Sequence, residues 1–216
     1  MALFQSKVMI FDLDGTLIDS RIDLANSVNY VLKDAGLKEL PEDKIFSYIG
    51  NGSKSLIEKS LGRSGKDKFT QVYNTFQSYY SDHLLDNTTL YEDVEETLSY
   101  FSDKSLYILS NKHQEFCQKI LDGFNLSSAF KGIYGGDSFD KMKPEPLGVK
   151  KIRKEEGVLQ EECILIGDSP QDINAGKNAG IKMAAVTYGY HSENRLMKDN
   201  PDLLIDSLSA LRNYID

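Results

Sequence analysis

The sequence predicts an α/β protein: a doubly wound parallel sheet with an inserted all-helical domain. Short apolar runs alternate with helical patterns over most of the chain, which is typical of strands buried on both faces of a parallel sheet. A purely helical block interrupts this alternation after the first run, between about residues 17 and 85. Polar residues directly follow several of the runs. We expect these residues to form one site, because ligands of open α/β sheets bind beyond the carboxyl ends of the strands.

The first apolar run, Val8-Met9-Ile10-Phe11, leads straight into Asp12, and a second carboxylate follows at Asp14. Gly15 then permits the sharp turn that a strand needs to leave the sheet. Asp-Gly is also a common turn pair. The motif alone therefore leaves a purely structural interpretation open. The residues that follow the other predicted strands distinguish this interpretation from a functional one.

The helical block is expected to contain no strand. Pro41 indicates one helix start, and Ser53 is predicted to cap a helix that stops at Gly62. Residues 66–84 are predicted to form an amphipathic helix with an aromatic stripe. We interpret that stripe as core, because the chain is acidic and no basic groove accompanies the aromatic residues.

Strands and helices alternate again in the second half of the chain, which favours parallel strands joined by helical crossovers. The predicted helices span residues 92–101, 113–124, 146–156 and 173–179, and the predicted strands span residues 105–109, 132–134, 163–166, 183–186 and 203–205. We therefore predict a core domain of residues 1–16 and 86–216, and a cap domain of residues 17–85.

Composition excludes several classes of protein. The net charge of −8 over 216 residues argues against a nucleic-acid or membrane-surface partner. No apolar run approaches the length of a transmembrane helix. The two cysteines form no CxxC pair and are too few for a disulfide framework, which favours a reducing, cytoplasmic location. We expect a monomer or homodimer.

Six chemically active side chains follow the predicted strands or the turns near them. They are Asp12, Asp14, Ser110, Lys143, Asp168 and Asp172. Four carboxylates in one crevice would repel each other unless a cation lay among them. Oxygen ligands without cysteine or histidine select a hard cation, so the sequence predicts Mg²⁺. The three histidines are scattered, so a zinc site is not expected.

Three of these residues also have structural interpretations. Lys143 is followed by Pro144 and precedes Pro146, so it could belong to a solvated turn. Asp172 could be an ordinary acid in the first turn of a helix. Ser110 could cap the next helix.

Four segments, in this order, resemble the motifs of the haloacid dehalogenase superfamily of phosphotransferases. They are Asp12-Leu13-Asp14-Gly15-Thr16, Ser110-Asn111-Lys112, Lys143-Pro144-Glu145-Pro146 and Gly167-Asp168-Ser169-Pro170-Gln171-Asp172. The resemblance spans residues 7–190, and the helical block resembles the C1-type cap of that superfamily. Ile49-Gly50-Asn51-Gly52 and Val186-Thr187-Tyr188-Gly189-Tyr190 resemble phosphoglycolate phosphatases more weakly. Tyr91-Glu92-Asp93 departs from the Pro-Gly pair of many relatives.

The resemblance implies roles for the acidic residues. Asp12 would be the nucleophile that forms an aspartyl-phosphate. Asp14 would protonate the leaving alkoxide and then activate water. Mg²⁺ would be held by the carboxylates of Asp12 and Asp168 and by the backbone carbonyl of Asp14. Asp172 would orient the water shell of the metal or Lys143.

The resemblance also implies a substrate-binding set. Ser110 and the backbone amide of Asn111 would bind phosphate oxygens, Thr16 would assist them, and Lys143 would neutralise the nucleophile and the transferring group. In the cap, Asn51, Gly52 and Lys54 stand near the N-terminus of a predicted helix, where backbone amides favour an anion. We therefore predict a short phosphorylated acid, 2-phosphoglycolate, as the substrate. A simple helix–helix turn is the structural alternative for this loop.

The predicted function is a Mg²⁺-dependent phosphatase that acts on a small anionic phosphate ester. Its cap is expected to act as a lid hinged near residues 16–20 and 85–88. Within the superfamily, a sugar-phosphate phosphatase, a phosphomutase or a pyrophosphatase is the alternative. From another class, a phospho-accepting receiver-type signalling domain also uses acids, a hydroxyl and a lysine on a parallel sheet. Turnover separates these classes, because a receiver accepts a single phosphoryl group.

Overall fold

The computed structural model describes residues 4–63 and 65–216. The chain divides into two compact units, a core unit of residues 1–18 and 90–216 and a helical unit of residues 19–89. These boundaries lie two and four residues beyond those predicted. The core unit is thus two residues longer than predicted at the first crossing and four residues shorter at the second. At the first crossing the reason is local: Tyr91 N donates to Leu17 O at 3.0 Å, so backbone pairing keeps the chain in the core unit up to residue 18. Among the described residues, no helix combines the length and apolar character needed to cross a membrane.

The core unit contains a six-stranded sheet of order β5-β4-β1-β6-β7-β8 in which every pair is parallel. The predicted fold class is thus confirmed. In chain order, the strands are β1 (Val8–Phe11), β2 (Ile18–Asp19), β3 (Thr89–Leu90), β4 (Ser105–Leu109), β5 (Gly132–Tyr134), β6 (Cys163–Gly167), β7 (Lys182–Val186) and β8 (Leu203–Ile205). β2 and β3 form a separate two-stranded sheet.

Strand β1 lies near the middle of the sheet, and its four residues are at most 1% exposed. Burial of each such side chain stabilises the fold by roughly 1.5–3 kcal/mol. Phe11 is in register with Ile108 of β4 and Ile166 of β6. The residues that follow these three strands therefore leave the sheet at the same edge.

The helices are α1 (Arg21–Asp34), α2 (Glu42–Phe46), α3 (Gly52–Leu61), α4 (Phe69–Asp82), α5 (Val94–Tyr100), α6 (Gln114–Gly123), α7 (Leu147–Glu156), α8 (Pro170–Ala179) and α9 (Glu193–Met197). The aromatic stripe, predicted to be core, is only partly so: Phe76 and Tyr80 are buried, whereas Phe69, Tyr73 and Tyr79 are half-buried. Helix α9 was not predicted, because five residues carry too little periodicity to stand out.

Three local predictions are wrong. The block after residue 17 does contain strand, since Ile18–Asp19 forms β2. Ser53 does not cap α3, which has Asn51 as its N-cap; the Ser53 hydroxyl lies 3.2 Å from Tyr73 Oη instead. Helix α8 begins at Pro170 rather than at residue 173, because proline suits the first helical position and Ser169 caps the helix.

Candidate active site

Three buried carboxylates meet at the carboxyl edge of the sheet. Asp12 follows β1, Asp168 follows β6, and Asp172 lies in the first turn of α8. One oxygen from each lies within 4.8 Å of the others, and none of the three residues is more than 8% exposed. Such close burial of like charges requires a compensating cation.

Lys143 supplies one compensating charge. Its Nζ lies 2.9 Å from Asp12 Oδ1 and 2.6 Å from Asp172 Oδ1, and the residue is 4% exposed. The solvated-turn interpretation of Lys143 is therefore wrong. Burial by itself would lower the pKa of Lys143, but the carboxylates of Asp12 and Asp172 outweigh it and raise that pKa. The lysine is thus a fixed cation in this site.

Lys143 does not fully compensate the three carboxylates, and the pKa values of two of them are raised. Burial, followed by the nearby Asp172 carboxylate, raises the pKa of Asp12 to about 6, against the opposing effect of Lys143. Burial also raises the pKa of Asp168. One ammonium therefore leaves this site short of positive charge.

The oxygen-only donor set fits a hard divalent cation. Two glycines also bring backbone close to Asp168. A Cβ built on Gly15, whose φ is +80°, would lie 2.3 Å from Asp168 Oδ2, and a Cβ on Gly189 would lie 2.4 Å from the Gly15 carbonyl oxygen. Only glycine at these two positions permits so close an approach of the backbone to Asp168. The trio Asp12, Asp168 and Asp172 could hold a metal ion.

Asp172 is held by a reciprocal cap at the start of α8. Its backbone amide donates to Ser169 Oγ at 3.3 Å, and the Ser169 amide donates to Asp172 Oδ2 at 3.1 Å. The Ser169 hydroxyl also contacts Asp172 Oδ2. Asp172 is thus a helix-terminal acid, as the structural interpretation proposed, and it also contacts Lys143 through its other oxygen.

Asp14 lies outside the trio. Its two oxygens accept hydrogen bonds from Lys112 Nζ at 2.9 and 3.0 Å, and Lys112 is 7% exposed. Lys112 belongs to the second motif, but its role was not predicted from the sequence. The available signal was its position, three residues after a buried strand that ends at the same edge as β1.

The predicted phosphate-binding residues lie on the same edge. Ser110 and Asn111 follow β4 directly. Asn111 Nδ2 donates to the Lys143 carbonyl at 3.0 Å, which ties the second motif to the third. Thr16 is fully buried; its hydroxyl has no hydrogen-bond partner, and its carbonyl accepts from Tyr188 Oη at 2.8 Å.

Sequence reasoning missed the contacts made by the segment after β7. Tyr190 N donates to Asp168 Oδ2 at 2.6 Å, and His191 Nδ1 lies 3.8 Å from the same oxygen. Residues 186–190 were noted above for their resemblance to phosphoglycolate phosphatases, but their contacts were not predicted. The contact uses a backbone amide, which side-chain identity does not reveal.

The remaining predicted residues belong to the helical unit. Asn51 is the N-cap of α3, and Gly52 and Lys54 lie in the first turn of that helix. Gly50 and Gly52 have φ of +107° and +77°, a conformation that glycine adopts without strain. Ser53, between them and Lys54, contacts Tyr73 of α4. These contacts fix the loop within its own unit.

The profile of the haloacid dehalogenase-like hydrolases matches residues 9–186. The chain belongs to this family. The match confirms the superfamily resemblance that the four motifs indicated, and it identifies the protein as a hydrolase.

Relatives of this hydrolase share most of its length. A phosphoglycolate phosphatase from Aquifex aeolicus is 40% identical over 213 residues, which cover 97% of both chains. One from Colwellia psychrerythraea is 36% identical and covers 98% of this chain and 97% of its own. The crystal structure of a predicted phosphoglycolate phosphatase from Haemophilus somnus has a TM-score of 0.90 and 30% identity, with 97% of both chains covered.

Proposed function

We propose that this haloacid dehalogenase-like hydrolase is a Mg²⁺-dependent phosphatase that hydrolyses 2-phosphoglycolate through an aspartyl-phosphate. The main support is the position of Asp12: it is buried at the end of β1, 2.9 Å from Lys143 Nζ and within 4.8 Å of the other two acids of the trio. Full-length relatives named phosphoglycolate phosphatase support the choice of substrate. The buried thiols of Cys117 and Cys163 are compatible with the cytoplasmic location that we propose.

Asp12, Asp168, Asp172 and the backbone carbonyl of Asp14 would hold Mg²⁺ directly or through water. When bound, the ion supplies positive charge that lets two anions approach each other. Lys143 supplies a second positive charge from the protein itself. An anionic nucleophile and an anionic phosphate ester repel, so fixed positive charge is the largest contribution that such a site makes.

In the first step, an oxygen of Asp12 attacks the phosphorus of the ester. The new Asp12 O–P bond forms as the bond between phosphorus and the leaving oxygen breaks, and Asp14 gives its proton to that oxygen. Ser110 and the Asn111 amide hold the non-bridging phosphate oxygens. The alcohol leaves, and the phosphoryl group stays on Asp12.

In the second step, Asp14 takes a proton from a water molecule that attacks the phosphorus. The Asp12 O–P bond breaks, inorganic phosphate leaves, and Asp14 is protonated again for the next turnover. The two halves are therefore balanced in protons. Lys143 stays charged throughout and neutralises whichever form of Asp12 is present.

The helical unit would bind the carboxylate of the substrate. Asn51, Gly52 and Lys54 surround the N-terminus of the ten-residue helix α3, and a helix N-terminus favours an anion. Closure of this unit as a lid would exclude water from the aspartyl-phosphate. The simple-turn interpretation of the loop is the alternative that the experiment must exclude.

The test measures phosphate release from 2-phosphoglycolate, a sugar phosphate, pyrophosphate and p-nitrophenyl phosphate. We expect 2-phosphoglycolate to have the highest kcat/KM, by at least ~10²-fold. Esters without a carboxylate would leave the anion-binding groups of the helical unit unpaired, which lowers kcat/KM. A higher kcat/KM on the sugar phosphate or on pyrophosphate would contradict the assignment of 2-phosphoglycolate as the substrate. A single phosphoryl transfer without turnover supports a receiver domain instead.

Asp12 is tested by rapid acid quench and peptide mass spectrometry. We expect a phosphoryl group on the peptide that contains Asp12 during turnover. Asp12→Asn should form no phosphoenzyme and release no phosphate. Turnover without any phosphoenzyme at Asp12, despite quenching at several times, supports direct attack by water.

The cap assignment is tested with Asn51→Ala and Lys54→Ala. We expect a large loss of kcat/KM on 2-phosphoglycolate and little change on p-nitrophenyl phosphate, which lacks the carboxylate. Lys59→Ala is the matched control, since Lys59 lies in the last turn of the same helix. Equal losses on both substrates would leave the loop as a structural turn.

A further inference from the structure

We propose that Lys112 is a positioning residue for Asp14: it orients that acid toward the leaving oxygen and toward the attacking water. This inference rests on the proposed function, because the orientation of Asp14 affects turnover only if Asp14 transfers the protons of that reaction. It assigns a second lysine to the reaction, with a task distinct from that of Lys143.

The contact between the two residues is closely defined. The Lys112 ammonium donates to both oxygens of Asp14, at 2.9 and 3.0 Å. The two side chains are 5% and 13% exposed, respectively, so water screens the pair little. A two-point contact fixes the rotation of the carboxylate as well as its position.

The backbone of Lys112 is also held in place. The Lys112 carbonyl accepts a hydrogen bond from Gly136 N at 2.8 Å, and the Lys112 amide contacts Ser110 Oγ at 3.3 Å. A Cβ on Gly135 would lie 2.6 Å from the Lys112 carbonyl oxygen. The Gly135-Gly136 pair therefore lets β5 and its loop pack directly against the segment that carries Lys112.

The two buried lysines serve different acids. Lys143 contacts Asp12 and Asp172, whereas Lys112 contacts Asp14. Asp14 does not belong to the carboxylate trio, so its side chain is not committed to a metal there. If one oxygen of Asp14 stays on Lys112, the other can carry the proton that passes to the leaving oxygen and returns from water. A freely rotating carboxylate would meet that geometry only part of the time.

The experiment compares Lys112→Met with wild type on two esters. The nitrophenolate of p-nitrophenyl phosphate leaves without protonation, whereas the alkoxide of 2-phosphoglycolate requires it. On 2-phosphoglycolate we expect kcat to fall by ~10²-fold, the scale of acid–base assistance, with KM nearly unchanged. On p-nitrophenyl phosphate we expect a stoichiometric burst of nitrophenolate, then slow turnover and accumulation of phosphorylated Asp12, because only the second step needs Asp14.

Two further variants separate positioning from folding. Lys112→Arg keeps a cation that can contact both oxygens, and we expect it to recover turnover to within ~10-fold of wild type. Lys131→Met is the matched control: it removes a solvent-exposed lysine that pairs with Glu156 at 2.7 Å, and it should leave both activities unchanged. Thermal unfolding of each variant shows whether it is folded.

Several outcomes would overturn the proposal. Equal losses on both esters without a burst would make Lys112 merely structural. A rise in KM at constant kcat would make it a substrate ligand. An arginine variant that folds but is as slow as the methionine variant would also contradict positioning. If wild-type protein hydrolyses neither ester, the proposed function fails, and the role of Lys112 fails with it.

Discussion

The ammonium of Lys143 lies 2.9 Å from Asp12 Oδ1, at the point where the central strand β1 ends. The same ammonium contacts Asp172 at 2.6 Å. One buried cation thus joins the proposed nucleophile to the acid at the start of α8. Its removal leaves buried carboxylates with less compensation, a situation that costs several kcal/mol in other proteins.

We expect Lys143→Met to lower kcat on any phosphate ester by at least ~10²-fold, the scale of removing one transition-state donor. The reason is that Lys143 neutralises Asp12 in both steps. Steady-state phosphate release measures the loss. The control is Lys141→Met, which removes an exposed lysine 3.8 Å from Glu145; a loss of similar size there would contradict a specific role for Lys143.

Divalent cations should both activate and stabilise the enzyme. Excess chelator should abolish phosphate release, and Mg²⁺ should restore it, whereas Ca²⁺ should substitute poorly because it prefers more ligands and looser geometry. Mg²⁺ should also raise Tm, since a ligand that binds only the folded state stabilises it. Asp168→Asn should lose most of that Tm rise. Full activity in chelator would argue against a metal.

The pH dependence of stability should differ between wild type and Asp12→Asn in the absence of metal. The folded-state pKa of Asp12 is raised from 3.8 to about 6, so the folded state holds this proton more tightly than the unfolded state. The associated stabilisation is present below pH ~4 and is lost as pH rises through ~6. Asparagine stays neutral and avoids that loss.

Relative to its value at pH 4, the free energy of unfolding of metal-free Asp12→Asn should therefore exceed that of wild type at pH 7. The expected gain is on the order of 1–3 kcal/mol. Urea unfolding at pH 4, 5, 6 and 7 in chelator measures it. A difference between the two proteins that does not change with pH would show that Asp12 has an ordinary pKa.

The cap at the start of α8 should contribute to stability and to the orientation of Asp172. Ser169→Ala removes a side-chain cap and should cost about 1 kcal/mol in the free energy of unfolding. Ser192→Ala is the matched control, because Ser192 is the N-cap of α9 and its side chain makes no cap hydrogen bond. Urea unfolding of both variants checks this difference; equal losses would rule out a specific role for the Ser169 hydroxyl.

The sequence by itself determined the fold class and most of the acidic site. Strands buried on both faces of a parallel sheet are almost entirely apolar, so β1, β4 and β6 are recognisable as apolar runs in the sequence. The residues that follow each run can therefore be named without coordinates. Asp12, Asp14, Ser110 and Asp168 were found in this way. The carboxyl ends of parallel strands lie at one edge of any such sheet. The strand order β4-β1-β6, which the sequence does not give, then makes the three strand ends neighbours.

Tertiary structure alone decided the pairings within that site. Lys112 and Asp14 are 98 positions apart, and Tyr190 and Asp168 meet through a backbone amide. Local periodicity carries no information on which lysine contacts which acid, because strand register and loop packing set those distances. The start of α3 and the short strand β2 were decided in the same way, since hydrogen bonds to distant residues can outweigh local preferences.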